Sequence, residues 1–475
     1  MDDHPDILWL SLESVRADHT PMYGYKRDTT PNIRAIAEEP NSVVLDNGIA
    51  QSLWTPASSA SMLTGTYLST HQVGQDGKAN IRLPSSIETL PELLQNIGYE
   101  TALFTPNPYI SGATGLDRGF GYTKAVKAVP KSYSPRHKDA LDYWREGLRR
   151  IFRSRTIDFN RIKHDLKTTE NEVLHRHAER WLKSTRSEDN PFFAYAHIPS
   201  PHHPYLPNAD YVDCFTDDIA FSTEEAYSLV KDIYYGGSDE IKREIATGLD
   251  LSDDEWEAIE AMYDATLAYM DHTVSEIVST ARNESDSLIL VVVGDHGELF
   301  GEHGVIGHNL VLHENLIRVP MVISGISDIE TDADTMTQQI DLTRTLAEIC
   351  DVVTEQFEGL DIRESEREYG ISQYGHIDMD AYLKHNKEFQ TNRFFKNPYT
   401  VVTDGDFKLA INQERAELYR LPDETTDISE SEEQHRKRLN TVLEELGINW
   451  SQDNKSEGSH FDESQIEQLK QLGYL

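Results

Sequence analysis

A chain of 475 residues is long enough to bury a large core and to hold more than one structural unit. Its 82 acidic against 44 basic residues give a formal charge of −38, which repels nucleic acid phosphates and argues against such a partner. The longest apolar runs, such as "LILVVV", have the length of a strand and fall far short of a membrane span.

The opening stretch, "MDDHPDILWLSLES", has neither a basic region nor an apolar signal core and enters a strand almost at once. A cytoplasmic protein is therefore expected. Glu13 closes this first strand, and a carboxylate directly after an apolar run must be paired or hold a cation, since an unpaired buried charge is heavily penalised. "TPNIRAIAEE" predicts a helix. "QSLWTPASSASMLTG" then predicts a turn into a second helix, with Thr55 before Pro56 as a capping residue at its start. The same position suits a nucleophile held where an anion is also held. "SIETLPELLQNIGYETALFT" reads as a helix, a glycine stop and a strand, and it runs into "PNPY". There Asn107 either orders a turn or donates a hydrogen bond to a substrate oxygen.

From Lys124 to Lys167 the charge reverses, with 13 Lys/Arg and five Asp/Glu. Leu141, Trp144, Leu148, Ile151 and Phe152 fall near one helical face there, beside arginines. Residues 124–167 are expected to form a basic helical insertion or lid packed on an acidic body. The alternative for 141–155 is an interfacial helix that meets anionic lipid or a polyanionic substrate. "PFFAYAHIP", "SLILVVVGD" and "VPMVISG" predict further strands. Cys214 and Cys350 stand far apart and read as two reduced thiols.

Strands separated by helical segments predict an α/β protein with a large, mostly parallel sheet sandwiched by helices. Sites in such sheets collect beyond the carboxyl ends of strands, which here read "SLES", "LFTPNPY", "YAHIPSPHHPY" and "VVVGDHGE". Near residue 376 the texture changes. "YTVVTDGDFKLAINQERAELYRL" predicts an antiparallel meander, followed by an acidic helix and a terminal helix. The expected division is a catalytic domain over 1–375 and a smaller α+β unit over 376–475.

Asp295-His296, after a buried strand and a glycine, forms a mixed oxygen and nitrogen half-site for a metal. With Glu13 and the Thr55 oxygen it completes a four-ligand set for one divalent ion. Such an ion lowers the pKa of a bonded hydroxyl, which no bare threonine achieves at neutral pH. Carboxylates, a hydroxyl and one imidazole favour Mn²⁺ or Zn²⁺ over Mg²⁺ or Ca²⁺. A second ion of the usual two-metal kind would call for an Asp-x-x-x-His spacing, which does not occur in the chain.

"LSLESVRADHTPMYGYKRDTTPNI", "SLWTPASSASMLTGTYLSTHQVG", "FFAYAHIPSPHHPY" and "VVVGDHGELFGEHGVIGHNLVLHENLIRVPMVI" resemble the sulfatase family of the alkaline phosphatase superfamily. The likeness extends to "DFKLAINQERAELYRLPDE" and the terminal "LKQLGYL". It implies the alkaline phosphatase-like fold. Sulfatases carry, at the position of Thr55, a cysteine or serine oxidised to formylglycine, with an arginine four residues later. Here the later residue is Ser59, and threonine cannot become formylglycine. Their first strand usually ends in paired aspartates, replaced here by Glu13-Ser14. Glu, Thr and Asp-His together are similar to lipoteichoic acid synthases and phosphoethanolamine transferases, which use one metal and a threonine nucleophile on phosphodiesters. The resemblance further implies that His308 and His202, with His203 as the adjacent alternative, contact the transferring group. Arg16 and Lys408 are left without a role. The expected activity is thus hydrolysis or transfer of a phosphate ester through Thr55, on a glycan or lipid headgroup. Its rivals are a sulfuric ester hydrolase using unmodified threonine and a silent headgroup-binding relative.

Overall fold

The strand Asp6–Leu12 (β1) has no solvent face, because its side chains alternate between two apolar cores. Leu8, Leu10 and Leu12 enter one, and Ile7 and Trp9 enter the other. That is the pattern of a strand in the middle of a sheet covered on both sides. The computed structural model describes residues 4–125, 170–187, 189–327, 329, 335–448, 450 and 458–472.

Around β1 stand β2 (Ser42–Val44), β3 (Glu100–Thr105), β4 (Tyr122–Ala125), β5 (Phe192–Ile198), β6 (Leu288–Gly294) and β7 (Met321–Ser324). They form one seven-stranded sheet in the order β2-β7-β6-β1-β5-β3-β4. β1 pairs in parallel with β5 and β6, and β3 in parallel with β5 and β4. β7 runs antiparallel to both of its neighbours, β6 and β2. The α/β class and the mostly parallel sheet expected from the sequence are both present.

Helices cover the sheet and brace its working edge. The first two are α1 (Pro31–Ala37) and α2 (Thr55–Thr64). The longest, α3 (Asp253–Asn283), begins at Ser252, whose hydroxyl and Glu255 form a reciprocal cap. From α3, the Tyr263 hydroxyl donates to the Ser14 carbonyl at 2.7 Å and accepts from the Arg16 amide at 3.0 Å. Asp271 on the same helix accepts from the Asn32 and Ile33 amides at 2.9 and 2.8 Å, anchoring the start of α1. One helix thus fixes both the turn after β1 and the helix that follows it.

A second sheet holds β8 (Gly370–Tyr374), β9 (Tyr399–Thr403), β10 (Phe407–Ile411) and β11 (Ala416–Arg420), antiparallel and in sequence order. Helices follow over Glu433–Glu445 and Glu463–Leu472. The sheet takes its first strand from residues ahead of 376. Lys408 is buried on β10, where its ammonium donates to the Leu312 carbonyl at 2.9 Å and pairs with Glu314 and Glu424. It therefore ties the small sheet to the large domain.

Apart from Lys124 and Ala125, the basic segment lies outside the described residues, including the amphipathic stretch 141–155. No helix among the described residues is long and apolar enough to cross a membrane. Both cysteines are free thiols, Cys214 exposed and Cys350 buried beside the Tyr99 hydroxyl.

Candidate active site

Three adjacent parallel strands deliver the site. Glu13 follows β1, His197 lies near the end of β5, and Asp295 and His296 follow β6. The ladder continues past the strand ends: the Glu13 amide donates to Ile198 at 3.1 Å and the Asp295 amide to Leu12 at 2.9 Å. Ser14 then takes a left-handed backbone, with φ 61°, a conformation that costs a non-glycine residue roughly 1–3 kcal/mol. Its amide donates to Asp295 Oδ1 at 3.0 Å, so the turn is held by the site it shapes. Gly297 is needed on the other side, because a Cβ there would lie 1.9 Å from the Asn315 carbonyl oxygen.

Thr55 does not cap its helix. α2 starts at Thr55 itself, Trp54 occupies the cap position, and no side-chain cap is made. The Thr55 hydroxyl donates instead to Glu13 Oε1 at 2.9 Å and sits 3.5 Å from His296 Nε2. A carboxylate gives the hydroxyl proton a charged acceptor, and such hydrogen bonds are stronger than neutral ones. Glu13 collects two further contacts, from Asn107 Nδ2 at 3.3 Å and from His197 Nε2 at 3.1 Å. Asn107 also orders its turn, with Oδ1 accepting the Tyr109 amide at 3.0 Å. His296 donates Nδ1–H to the Gly297 carbonyl at 2.8 Å, which leaves the lone pair on Nε2, 3.6 Å from Asp295 Oδ2.

All four residues read as ligands from the sequence are therefore brought together and buried. Their chemistry fits a divalent cation. Glu13, His197 and Asp295 each offer a ligand atom within 4.8 Å of the others, and Asp295 Oδ2 has no hydrogen-bond partner among the described residues. Burial pushes the Glu13 and Asp295 carboxyls well above the usual carboxylate range. The same cause lowers His197 to about 4 and takes His296 far below its ordinary value. Desolvation of unbalanced groups is the cost that a bound positive ion offsets.

Beyond this set lies a second group of imidazoles. His202 and His308 stand with ring centroids 5.1 Å apart, and His308 is 4.5 Å from His296. His308 Nδ1 meets Glu298 Oε1 at 3.2 Å. Burial lowers His308 to about 4 and His202 to about 3, and raises Glu298 to about 8. His203 and His308 line a cavity of about 510 Å³ that also meets Trp54, Lys78, Tyr109 and Lys242.

His197 and Glu298 were not among the residues singled out from the sequence. His197 sits in an apolar strand and looks like a core residue; its one signal is a lone imidazole in "FFAYAHI". Glu298, three residues past Asp295, carries no signal of its own beside the Asp295-His296 pair. Arg16 belongs to the frame: it is buried, pairs with Asp18 at 2.7 Å and Glu302 at 2.9 Å, and donates to the Glu298 carbonyl at 3.3 Å.

Comparison with known proteins gives the family and the fold. The family model described as Sulfatase matches residues 5–352. The chain is similar to a choline-sulfatase of Rhizobium meliloti, 24% identical over 368 residues, covering 74% of this chain and 69% of that protein. It is also similar to an uncharacterized sulfatase, YidJ, of Escherichia coli, 22% identical over 73% of this chain and 68% of that protein. Among solved structures, the phosphonate monoester hydrolase of Agrobacterium radiobacter superposes with a TM-score of 0.69 at 19% identity, over 93% of this chain and 95% of that one. The protein BT4656, solved with its substrate D-glucosamine-2-N,6-O-disulfate, superposes with a TM-score of 0.66 at 18% identity, over 96% and 99%.

Proposed function

The chain belongs to the sulfatase family, and from that premise we propose that it is a metal-dependent hydrolase or phosphotransferase acting on a phosphate ester, a diester in particular, with Thr55 as nucleophile. One observation carries this reading: the Thr55 hydroxyl lies 2.9 Å from a buried carboxylate, at the position where sulfatases hold their modified residue. Glu13, Thr55, Asp295 and His296 would hold one divalent ion, Mn²⁺ or Zn²⁺ before Mg²⁺ or Ca²⁺, which draws charge from the nucleophile and the phosphoryl oxygens.

The chain's own groups do the rest. Glu13 aims the Thr55 oxygen and takes up its proton's hydrogen bond, while His197 and Asn107 keep the Glu13 carboxylate in place. Thr55 Oγ1 passes its proton to Glu13 and forms a bond to phosphorus as the bond to the leaving oxygen breaks. The His308–Glu298 pair supplies a proton to that oxygen. Thr55 then carries the remaining ester. Water, or an acceptor alcohol, attacks the phosphorus and gives up its proton to His308, and Glu13 returns a proton to the Thr55 oxygen as it is released. His202, His203 and Asn107 contact the substrate's oxygens. Resemblance to a phosphonate monoester hydrolase supports a phosphoryl centre, and the sulfated amino sugar bound by BT4656 supports a sugar-borne ester.

A sulfuric ester hydrolase with unmodified threonine is the second reading, favoured by the likeness to choline-sulfatase. Turnover of an aryl phosphodiester and an aryl sulfate by the same metal-loaded protein separates the two, with the diester expected to be faster. Thr55→Ala should lower that turnover by about 10⁴-fold or more with an unchanged melting temperature. Acid quenching during turnover should trap the ester on Thr55, visible by mass spectrometry. Turnover retained in Thr55→Ala removes the nucleophile from the reading.

A further inference from the structure

His202, His203 and His308 pack with ring centroids 4.1, 5.1 and 5.5 Å apart, and each offers a ring nitrogen within 4.8 Å of the other two. Hydrogen bonds decide where their lone pairs are. His202 Nδ1 donates to the His203 backbone carbonyl at 2.8 Å, so the His202 lone pair is on Nε2. His308 Nδ1 lies 3.2 Å from Glu298 Oε1, so Nε2 is the ring nitrogen left to face the other two rings. His203 Nδ1 is buried and has no hydrogen-bond partner among the described residues. A carbonyl or carboxylate behind an imidazole is the support that orients histidine ligands of metals.

We propose that these three histidines form a second divalent-cation site, beside the one built on Glu13 and Asp295. Three imidazole nitrogens favour a borderline transition ion, Zn²⁺ above Mg²⁺ or Ca²⁺, and leave a fourth tetrahedral position for an outside oxygen. The cavity that His203 and His308 line gives that oxygen a way in. The His308 and His296 ring centroids lie 4.5 Å apart, with the rings tilted by 39°, so the two sites adjoin through neighbouring ligand rings. The inference goes beyond the proposed function, in which the same rings touch the transferring group directly. A cation seated there would replace the proton as the positive charge that faces the substrate.

Metal counting tests it. The metal-free full chain is titrated with Zn²⁺ by calorimetry, and bound zinc is measured by elemental analysis after gel filtration, with a melting curve for each variant. Wild type should hold two equivalents. His203→Gln and His308→Gln should each hold one, as should Glu13→Gln/Asp295→Asn, and adding His203→Gln to that pair should leave none. Saturation at one equivalent that Glu13→Gln/Asp295→Asn removes and His203→Gln does not would overturn the second site and leave the proposed function standing. Saturation at one equivalent with the opposite pattern would uphold the three-histidine site and overturn the first. Two equivalents retained in both folded His203→Gln and folded His308→Gln would also overturn it. Should one histidine variant fail to melt cooperatively, the other still decides the question.

Discussion

His197 joins two strands at the residue that matters most to the site. Its Nδ1 lies 3.2 Å from Ser11 Oγ and its Nε2 3.1 Å from Glu13 Oε2, so it sets the rotamer of a carboxylate whose other oxygen meets Thr55. Losing such a support commonly weakens metal binding about 10–100-fold. His197→Gln should therefore lower Mn²⁺ or Zn²⁺ affinity by that factor against wild type in a calorimetric titration, with a melting curve to show that the variant is folded. Affinity equal to wild type would leave His197 as core packing alone. Single residues were legible in the sequence where their type was costly for their place. Glu13 at the end of an apolar run and Asp295-His296 after one announce themselves, because burial of such groups needs a reason. His197 did not, since alternation along β5 hides which side of the strand faces a chamber. The Thr55 hydroxyl was read as both cap and nucleophile; only the distance to Glu13 shows which partner it takes.

At the scale of elements, α2 needs a rigid seat, because its first residue is the proposed nucleophile. His71, on the short helix Leu68–His71, supplies part of that seat. Its Nδ1 accepts the Val73 amide at 3.1 Å, so Nε2 carries the proton and donates to Ser61 Oγ on α2 at 3.0 Å. Burial lowers His71 from 6.5 to about 3. The folded chain therefore keeps this ring neutral while the unfolded chain protonates it below about pH 6.5. The stability from this group is whole above that pH and is lost as pH falls toward 3, by up to about 1.4 kcal/mol per pH unit. Urea unfolding of His71→Gln at pH 7 and pH 5 should show a loss smaller than the wild-type loss by about 2 kcal/mol. An equal loss in both proteins would remove His71 as the cause. Strand positions followed readily from the apolar runs. The direction of β7 did not, because "VPMVISG" looks the same whether it runs with its neighbours or against them. α2 starts one residue before Pro56, since proline is tolerated throughout the first helical turn and so does not number its positions.

For the whole molecule the dominant fact is charge. Were every basic residue paired, 82 − 44 = 38 carboxylates would still lack a cationic partner. The buried ion pairs and the site use few of them, and Asp217, Asp218 and Glu224 are among those that stand exposed. Repulsion among such groups acts over about 10 Å in 0.1 M salt and about 3 Å in 1 M salt, so concentrated salt removes most of it. The unfolded chain spreads the same charges farther apart, and screening therefore favours the folded state. Melting temperature should rise by several degrees between 0.1 and 2 M KCl. KCl is the right salt for the measurement because it strengthens apolar burial far less than sulfate does. Lysine at Asp217, Asp218 and Glu224 should flatten the rise without touching the site. A curve that is level or falls with KCl would mean that the carboxylates are already balanced by their surroundings.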